Sequence, residues 1–540
     1  MIIKDLYNYY HTVKHLYFYQ IFGRVNQKLK QSLRLIKPRQ PPDKLYNNLN
    51  SAIKFPSHDP WNNAKLIPKN EICFLNRKRS FALPVDWSPE EQSLLWRYNL
   101  HYFQYIDLLN ENSRNEFCRD WIRINKAGTK PAWNPYPLSL RIIHWIRGGV
   151  NAPDILKSLY QQASYLYRTI EYFYSGNHLL ENARALIYAG VYFNDQGEAN
   201  SWLERGLSIY QKELPEQVLP DGGFYERSPM YHALMLEGVL DVVNLLENNH
   251  RDRELFVTFA HRMIDFLYSV THPDGTIALF NDATEEIAPP TDALIKYTYD
   301  LTGYKPNLKY NFSETGYYIF NKEPVYCIID GGPGGPDHLL AHAHADIFSY
   351  ELSISGKKMI VDTGVYEYQK GEMREYVRST RAHNTACIDG KDQIECWDSF
   401  RVARRYKPYD VTFNESDLHS EFKGSYSGYA KLIGDSIVHS RVMRIIPTDR
   451  IIEVIDTIEG HGEHLVESSM HVHPDVIVER KDGVLELIKK DTKIFIKSES
   501  NTKIDYGWYC PQFGIKRQNS VIRFGERMKL PATLSYSIHY

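Results

Sequence analysis

Long apolar runs are missing from this chain of 540 residues. No stretch of about 18 uninterrupted apolar residues occurs, so no transmembrane helix is expected. Charge of one sign is missing too. The 64 basic residues face 66 acidic ones, a net charge of −2, so there is no global basic field and nucleic acid is not the default partner. An anionic substrate would have to be held by a local cluster. Cysteine is scarce: Cys73, Cys118, Cys327, Cys387, Cys396 and Cys510 are scattered, with no C-x-x-C pair. They read as reduced thiols, which excludes a disulfide framework or a zinc ribbon. A signal-peptide core is absent, because Lys14 and His15 break the one candidate run. Together these predict a cytoplasmic protein. No repeat of fixed period is found, which excludes a regular solenoid.

What is abundant is tyrosine. The 40 Tyr, with 9 Trp and 23 Phe, bring aromatics to 13%. Aromatic faces suit sugar rings, but tyrosine also packs sheets and helix pairs. The length predicts two or three domains with sizeable cores.

Periodicity divides the chain. Residues 1–40 are tyrosine-rich and basic. They read as helix packed on the main body with a solvated basic face; a helix at a membrane surface is the alternative. Gln40-Pro41-Pro42-Asp43 reads as a linker, and residues 44–90 as irregular with one strand near Glu71–Phe74. From about Ser88 to Leu301 apolar spacing is helical, as in Leu138/Ile142/Trp145, with Ser88-Pro89-Glu90-Glu91 as a helix start. From Gly316 the pattern becomes strand-like, as in Tyr317–Phe320, Val325–Ile329 and Ile451–Ile455. The expectation is a multidomain α+β protein: an N-terminal extension (1–90), a helical array (91–305) and an antiparallel β-sandwich (306–540).

Four clusters carry chemistry-bearing side chains. In Asn177-His178-Leu179-Leu180-Glu181, helical spacing puts Glu181 beside the imidazole, where it can orient it or hold it charged. Taken alone, the run is equally a capped helix with a surface His–Glu pair. In Asp221–His232, Ser228-Pro229 marks a helix start and places Tyr231 in its first turn. The positive end of the helix dipole there would favour phenolate. Aromatic packing is the commoner fate of any one tyrosine. The third cluster is His342-Ala343-His344-Ala345-Asp346, read as a strand that projects both imidazoles to one face. Such a face can hold one metal, or one ligand beside one catalytic imidazole. The fourth is Asp362-Thr363-Gly364 with Arg381-Ala382-His383-Asn384-Thr385. His344, Asp362 and His383 would supply two imidazoles and a carboxylate, a set that fits Zn²⁺. Arg141, Arg227, Arg378 and Arg381 are candidates, on charge alone, for sulfate or carboxylate groups.

Taken in order, Gly-Asn177-His178-x-x-Glu181, Tyr231, His342-Ala-His344-Ala-Asp346, Asp362-x-Gly and Arg381-Ala-His383-Asn384-Thr385 resemble the heparinase II/III family and its alginate lyase relatives, over roughly residues 90–540. The resemblance implies an incomplete (α/α) toroid followed by a β-sandwich, with the cleft between them. It implies a lyase that breaks uronate-containing polysaccharides by β-elimination. Asn177 and His178 would bind the uronate carboxylate, Tyr231 would act as base, acid or both, and His342 as partner base. Glu181 would hold His178, and His344, Asp362 and His383 would match a structural zinc site. Two other readings stand beside it: a non-catalytic protein that binds acidic polysaccharide during surface-polymer assembly, and a metal-dependent hydrolase.

Overall fold

The computed structural model describes residues 2–32, 36–49, 53–56, 65–67, 71–416, 419–434 and 436–540. The architecture is α+β and multidomain: a helical region, then an antiparallel β-sandwich. No described helix is long and apolar enough to cross a membrane.

Helices α1 (Ile2–Val13) and α2 (Phe18–Ser32) lie against the main body, and a small antiparallel sheet (Lys65–Ile67, Glu71–Phe74, Arg77–Ser80) follows. The extension thus has three strands where one was expected. The helical region runs through α3 (Leu94–Tyr102), α4 (Glu111–Ile124), α5 (Pro135–Arg147), α6 (Pro153–Thr169), α7 (Asn177–Tyr192), α8 (Ala199–Gln217), α9 (Pro229–Leu245), α10 (Arg253–Ser269) and α11 (Thr291–Thr302). The expected start at Ser88-Pro89 is a turn instead. Ser93 is the cap, its hydroxyl accepting from the Trp96 amide at 3.1 Å, so helix begins only at Leu94.

α7 packs against α5, α6, α8 and α9 and is buried nearly all round. Leu179, Leu180, Ala183, Leu186 and Ile187 line it, which is why its apolar positions show no single stripe. A helix enclosed on all sides fixes its first turn firmly, and that turn carries Asn177 and His178.

Strands begin at Asn311. A five-stranded sheet (Asn311–Phe312, Tyr317–Lys322, Val325–Asp330, Tyr350–Ile354, Lys357–Ile360) adjoins the helices. An eight-stranded sheet runs, from edge to edge, Tyr409–Glu415, Ser420–Tyr426, Val438–Ile446, Ile451–Glu459, Ala532–His539, Thr492–Ser498, Val484–Lys489 and Ile477–Lys481. Thr502–Gln512, Ile515–Lys529, Glu463–His471 and Ala386–Ile388 form a four-stranded sheet. Along Val438–Ile446 burial alternates residue by residue, the period of a strand with one face in the core. One inward residue is charged: Arg441 grips Asp456 with Nε and Nη2, at 2.7 and 2.6 Å, and also donates to the Phe348 and Asn384 carbonyls. The sandwich core thereby anchors the loops that carry the site.

Candidate active site between the helical and strand halves

The run His342–Asp346 is not a strand. It lies in the irregular connection between Val325–Asp330 and Tyr350–Ile354. Two loops zip together there instead. Asp282 N donates to the His342 carbonyl at 3.0 Å, His344 N to Asn281 Oδ1 at 3.0 Å, and Asn281 N to Asp346 Oδ2 at 3.1 Å. Arg378 supports them by donating from Nε to the Ala343 carbonyl at 3.1 Å. Ala343 and Ala345 are buried in the core of the strand half.

The two imidazoles still converge, on one carboxylate. Asp282, fully buried, sits 2.9 Å from both His342 Nδ1 and His344 Nε2 and accepts from both nitrogens of the Arg374 fork. Burial alone would raise its pKa, but Arg374 and the two histidine hydrogen bonds hold it well below the usual carboxylate range. An ionised carboxylate only accepts, so the ring nitrogens facing it carry hydrogen. His342 therefore turns Nε2 away from Asp282, toward Glu226, and His344 turns Nδ1 away from Asp282.

Across from His342 stands Tyr231, in the first turn of α9. Their ring centres are 4.0 Å apart, and the Tyr231 hydroxyl lies 3.2 Å from that of Tyr368. Ser228 caps α9 by accepting from Tyr231 N at 3.3 Å and donates its own hydroxyl to the Asp282 carbonyl at 2.6 Å. One serine thus ties the phenol's helix to the loop that orients the imidazoles. Sequence reasoning expected the helix dipole to favour phenolate. Burial, with Tyr368, Asp282 and Glu226 nearby, instead pushes the Tyr231 hydroxyl well above its ordinary value, and it stays protonated.

Glu226 links these groups to α7. Its carboxylate receives Asn177 N at 2.9 Å and Asn177 Nδ2 at 3.1 and 3.2 Å, and lies 3.3 Å from His342 Nε2. Gly176, at φ +100°, precedes the helix, and a side chain there would strike the Glu226 carboxylate and Leu339. His178 is half-exposed between the rings of Tyr136 and Tyr174, with centres 4.4 and 5.3 Å away. Its expected partner was Glu181. The structure puts Glu171 there, 3.1 Å from Nδ1, while Glu181 points into the helical core and pairs with Arg184 at 3.1 Å. Burial disfavours a charged His178, but the Glu171 charge and hydrogen bond outweigh it and raise its pKa above the ordinary imidazole value.

Behind His342 lies a second cluster. One ligand atom each from His344, Asp346 and His383 lie within 4.8 Å of one another, all buried. His344 Nδ1 and His383 Nε2 are buried without a hydrogen-bond partner. Each imidazole is fixed from behind by a carboxylate: His344 by Asp282, and His383 by Asp362, 2.8 Å from Nδ1. Burial pushes His344 down to about 3, so it is neutral, as a ligand must be. Burial raises Asp346 to about 6, partly offset by His383. Of the three residues expected to gather, His344 and His383 do so, but Asp346 takes the place beside their free nitrogens and Asp362 stands behind His383.

Three of the arginines chosen on charge serve backbone carbonyls. Arg227 donates to those of Thr315, Tyr225 and Glu314, latching the helical half to the strand half. Arg378 serves Ala343, Asp398, Ser399 and Arg401, and buried Arg141 serves Ala132 and lies 3.9 Å over the Trp121 ring. Arg381 is exposed beside the Tyr376 ring. Sequence reasoning missed Glu171, Asp282, Tyr368 and Arg374 and did not assign a role to Glu226. Their partners lie 7 to 137 residues away along the chain, so no spacing marks most of them.

The family descriptions Heparinase II/III N-terminus and Heparinase II/III-like, C-terminal match residues 153–310 and 305–536. A heparin-sulfate lyase of Pedobacter heparinus is 26% identical over 360 residues, covering 57% of this chain and 54% of the relative. One from Bacteroides stercoris is 29% identical over 249 residues, covering 41% and 37%. The chain spans about half the length, or less, of these curated relatives. A crystal structure of heparinase III superposes with a TM-score of 0.69 at 17% identity, covering 84% of this chain and 78% of that one. A heparan sulfate lyase HepC mutant from Pedobacter heparinus gives 0.61 at 19%, covering 96% and 88%. These structural likenesses establish the fold.

Proposed function

The chain belongs to the heparinase II/III-like family, and from that premise we propose that it is a polysaccharide lyase cleaving uronate-containing, glycosaminoglycan-like chains by β-elimination. The observation that carries the reading is the facing of Tyr231 and His342 at 4.0 Å, one from each half. Removing the proton at C5 of a uronate demands a base, a neutralised carboxylate and an acid for the leaving oxygen. His342 Nε2 takes the C5 proton. The resulting imidazolium is stabilised by Asp282 on one side and Glu226 on the other. Asn177 and His178, whose charged form the neighbouring Glu171 favours, hold the uronate carboxylate as its charge grows. The C4–O bond breaks, the C4–C5 double bond forms, and Tyr231, kept as a phenol, protonates the departing oxygen.

His344, Asp346 and His383 would hold a zinc ion. The fit rests on the two partnerless buried ring nitrogens and the carboxylate between them. When bound, the ion supplies a fixed positive charge that pins the loop bearing His342.

The test is to incubate the protein with heparan sulfate, hyaluronan, chondroitin sulfate and alginate and to follow the ultraviolet absorbance of the unsaturated uronate. Growth of the signal with a sulfated glycosaminoglycan is expected. Silence with all four, across pH and with zinc added, would sink the proposal.

A further inference from the structure

Helices α1 and α2 are packed with their polarity reversed. Their inward residues are polar. Gln20, 1% exposed, donates to the His338 carbonyl at 3.4 Å, and Gln27 donates to that of Thr169 at 3.3 Å. Arg24 lies 4.6 Å over the Tyr174 ring, and Gly23 lets α2 close on Phe173, where a side chain would collide. Thr12 donates to the Val402 carbonyl at 3.0 Å and accepts from the Trp397 indole at 3.1 Å. Arg401 donates to the Tyr9 hydroxyl at 2.7 Å. The pair therefore straps both halves of the molecule.

The outward residues are apolar. On α2, Phe18, Phe22, Val25 and Leu29 follow helical spacing along one solvent-facing stripe, and Phe18 is 80% exposed. On α1 the stripe is Leu6, Tyr10 and Val13, with Tyr10 65% exposed. A helix on the surface of a protein in water turns its apolar side inward. Here the reverse holds on two consecutive helices, so the stripe faces something other than water. Its surroundings say what. Residues 1–40 hold eight basic residues and a single acid, Asp5, in a chain whose net charge is −2. Lys14, Lys28, Lys30 and Lys37 are exposed. Helical spacing sets Lys28 and Lys30 on opposite flanks of the Phe18–Leu29 stripe, where their stems can lie along it while the ammonium groups reach outward.

We propose that α1 and α2 form a docking face for an anionic lipid surface, with the aromatic and aliphatic stripe entering the headgroup boundary and the lysines pairing with phosphates. An apolar stripe with basic flanks and interfacial Tyr and Phe is the pattern of a helix that lies in the membrane plane. Soluble polyanion would satisfy the lysines but leave Phe18 and Phe22 in water. Docking would bring the His178 end of the candidate site to the membrane, because Tyr174 touches both Arg24 and His178.

The experiment is sedimentation of the full chain with vesicles of phosphatidylcholine alone or with phosphatidylglycerol, at low and high salt. Three proteins are compared: the parent, Phe18→Ser/Phe22→Ser, and Lys28→Glu/Lys30→Glu. Circular dichroism melts check that each is folded, and both pairs are exposed, so folding should survive. The parent should partition onto phosphatidylglycerol vesicles and come off in salt. Each variant should bind at least about tenfold more weakly. No binding to anionic vesicles overturns the proposal. So does binding unchanged in Phe18→Ser/Phe22→Ser, which would mark plain charge attraction. A concentration-dependent dimer of the parent, abolished by Phe18→Ser/Phe22→Ser, also overturns it, because a second copy would then cover the stripe.

Discussion

Asp282 holds three groups at once, His342, His344 and Arg374, the last two fully buried, and this concentration of roles makes it the most sensitive side chain in the site. Asp282→Asn keeps the shape and removes the charge. Arg374, 1% exposed, would then lack its counter-ion, and one histidine would meet an amide N–H instead of an oxygen. Breaking a buried pair in this way costs about 3–5 kcal/mol. Urea unfolding of Asp282→Asn should show a loss of that size along with lost turnover. Tyr231→Phe separates chemistry from folding. Its hydroxyl touches Tyr368 alone in a half-buried setting, so the melting temperature should barely move while kcat falls about 10²–10⁴-fold, with KM little changed. His178 governs pH. Its folded pKa is raised, so its pairing with Glu171 stabilises fully below the ordinary imidazole value of about 6.5 and fades as pH climbs through the raised value. Carboxylate binding follows the same sign. KM should rise on the alkaline side of that value, and in His178→Gln it should be high and flat across pH.

Elements differ in how plainly the sequence announces them. Alternation along Ile451–Ile455 and the Ser228-Pro229 start of α9 reflect local sterics and capping, and both stand in the structure. His342–Asp346 also alternates, yet it is loop, because it bonds to Asn281 and Asp282, about sixty residues earlier, and to Arg378, and no neighbouring strand pairs with it. The convergence of its two histidines was legible; the carboxylate they converge on was not. Likewise Glu171 displaces Glu181 beside His178 through a contact made before α7 begins, whereas helical spacing sees only residues within it. The Ser228 cap gives an element-scale prediction. Ser228→Ala loses the cap and the bond to the Asp282 carbonyl, a cost of about 1–2 kcal/mol. Asn110 caps α4 by accepting from Ser113 N at 3.0 Å and touches nothing in the site. Asn110→Ala should cost about 1 kcal/mol and leave kcat alone. Ser228→Ala should lower kcat as well, because Tyr231 and the Asp282 loop lose their common tether; equal kcat in the two variants would show that the tether is unimportant.

At the scale of the whole molecule, the site depends on two halves staying in register. Arg227 latches them through carbonyls, and the Asn281–Asp282 loop of the helical side is threaded into the His342–Asp346 loop of the strand side. The proposed zinc site lies directly on this seam, since His344 and Asp346 bond to Asp282 and Asn281. Zinc bound there would therefore stabilise the closed arrangement, by about 2.7 kcal/mol at a hundredfold excess over its dissociation constant. Dialysis against a chelator should lower the melting temperature, and added zinc should restore it. His344→Ala should melt below the chelated value, because it also loses the buried bond to Asp282, and should no longer respond to zinc. Turnover below the melting temperature is the decisive readout. His342 is oriented by Asp282, not by the ion, so chelated protein that is still folded should retain the proposed lyase activity. Immediate loss of activity on chelation, with an unchanged melt and recovery on adding zinc, would move the metal from the seam into the chemistry.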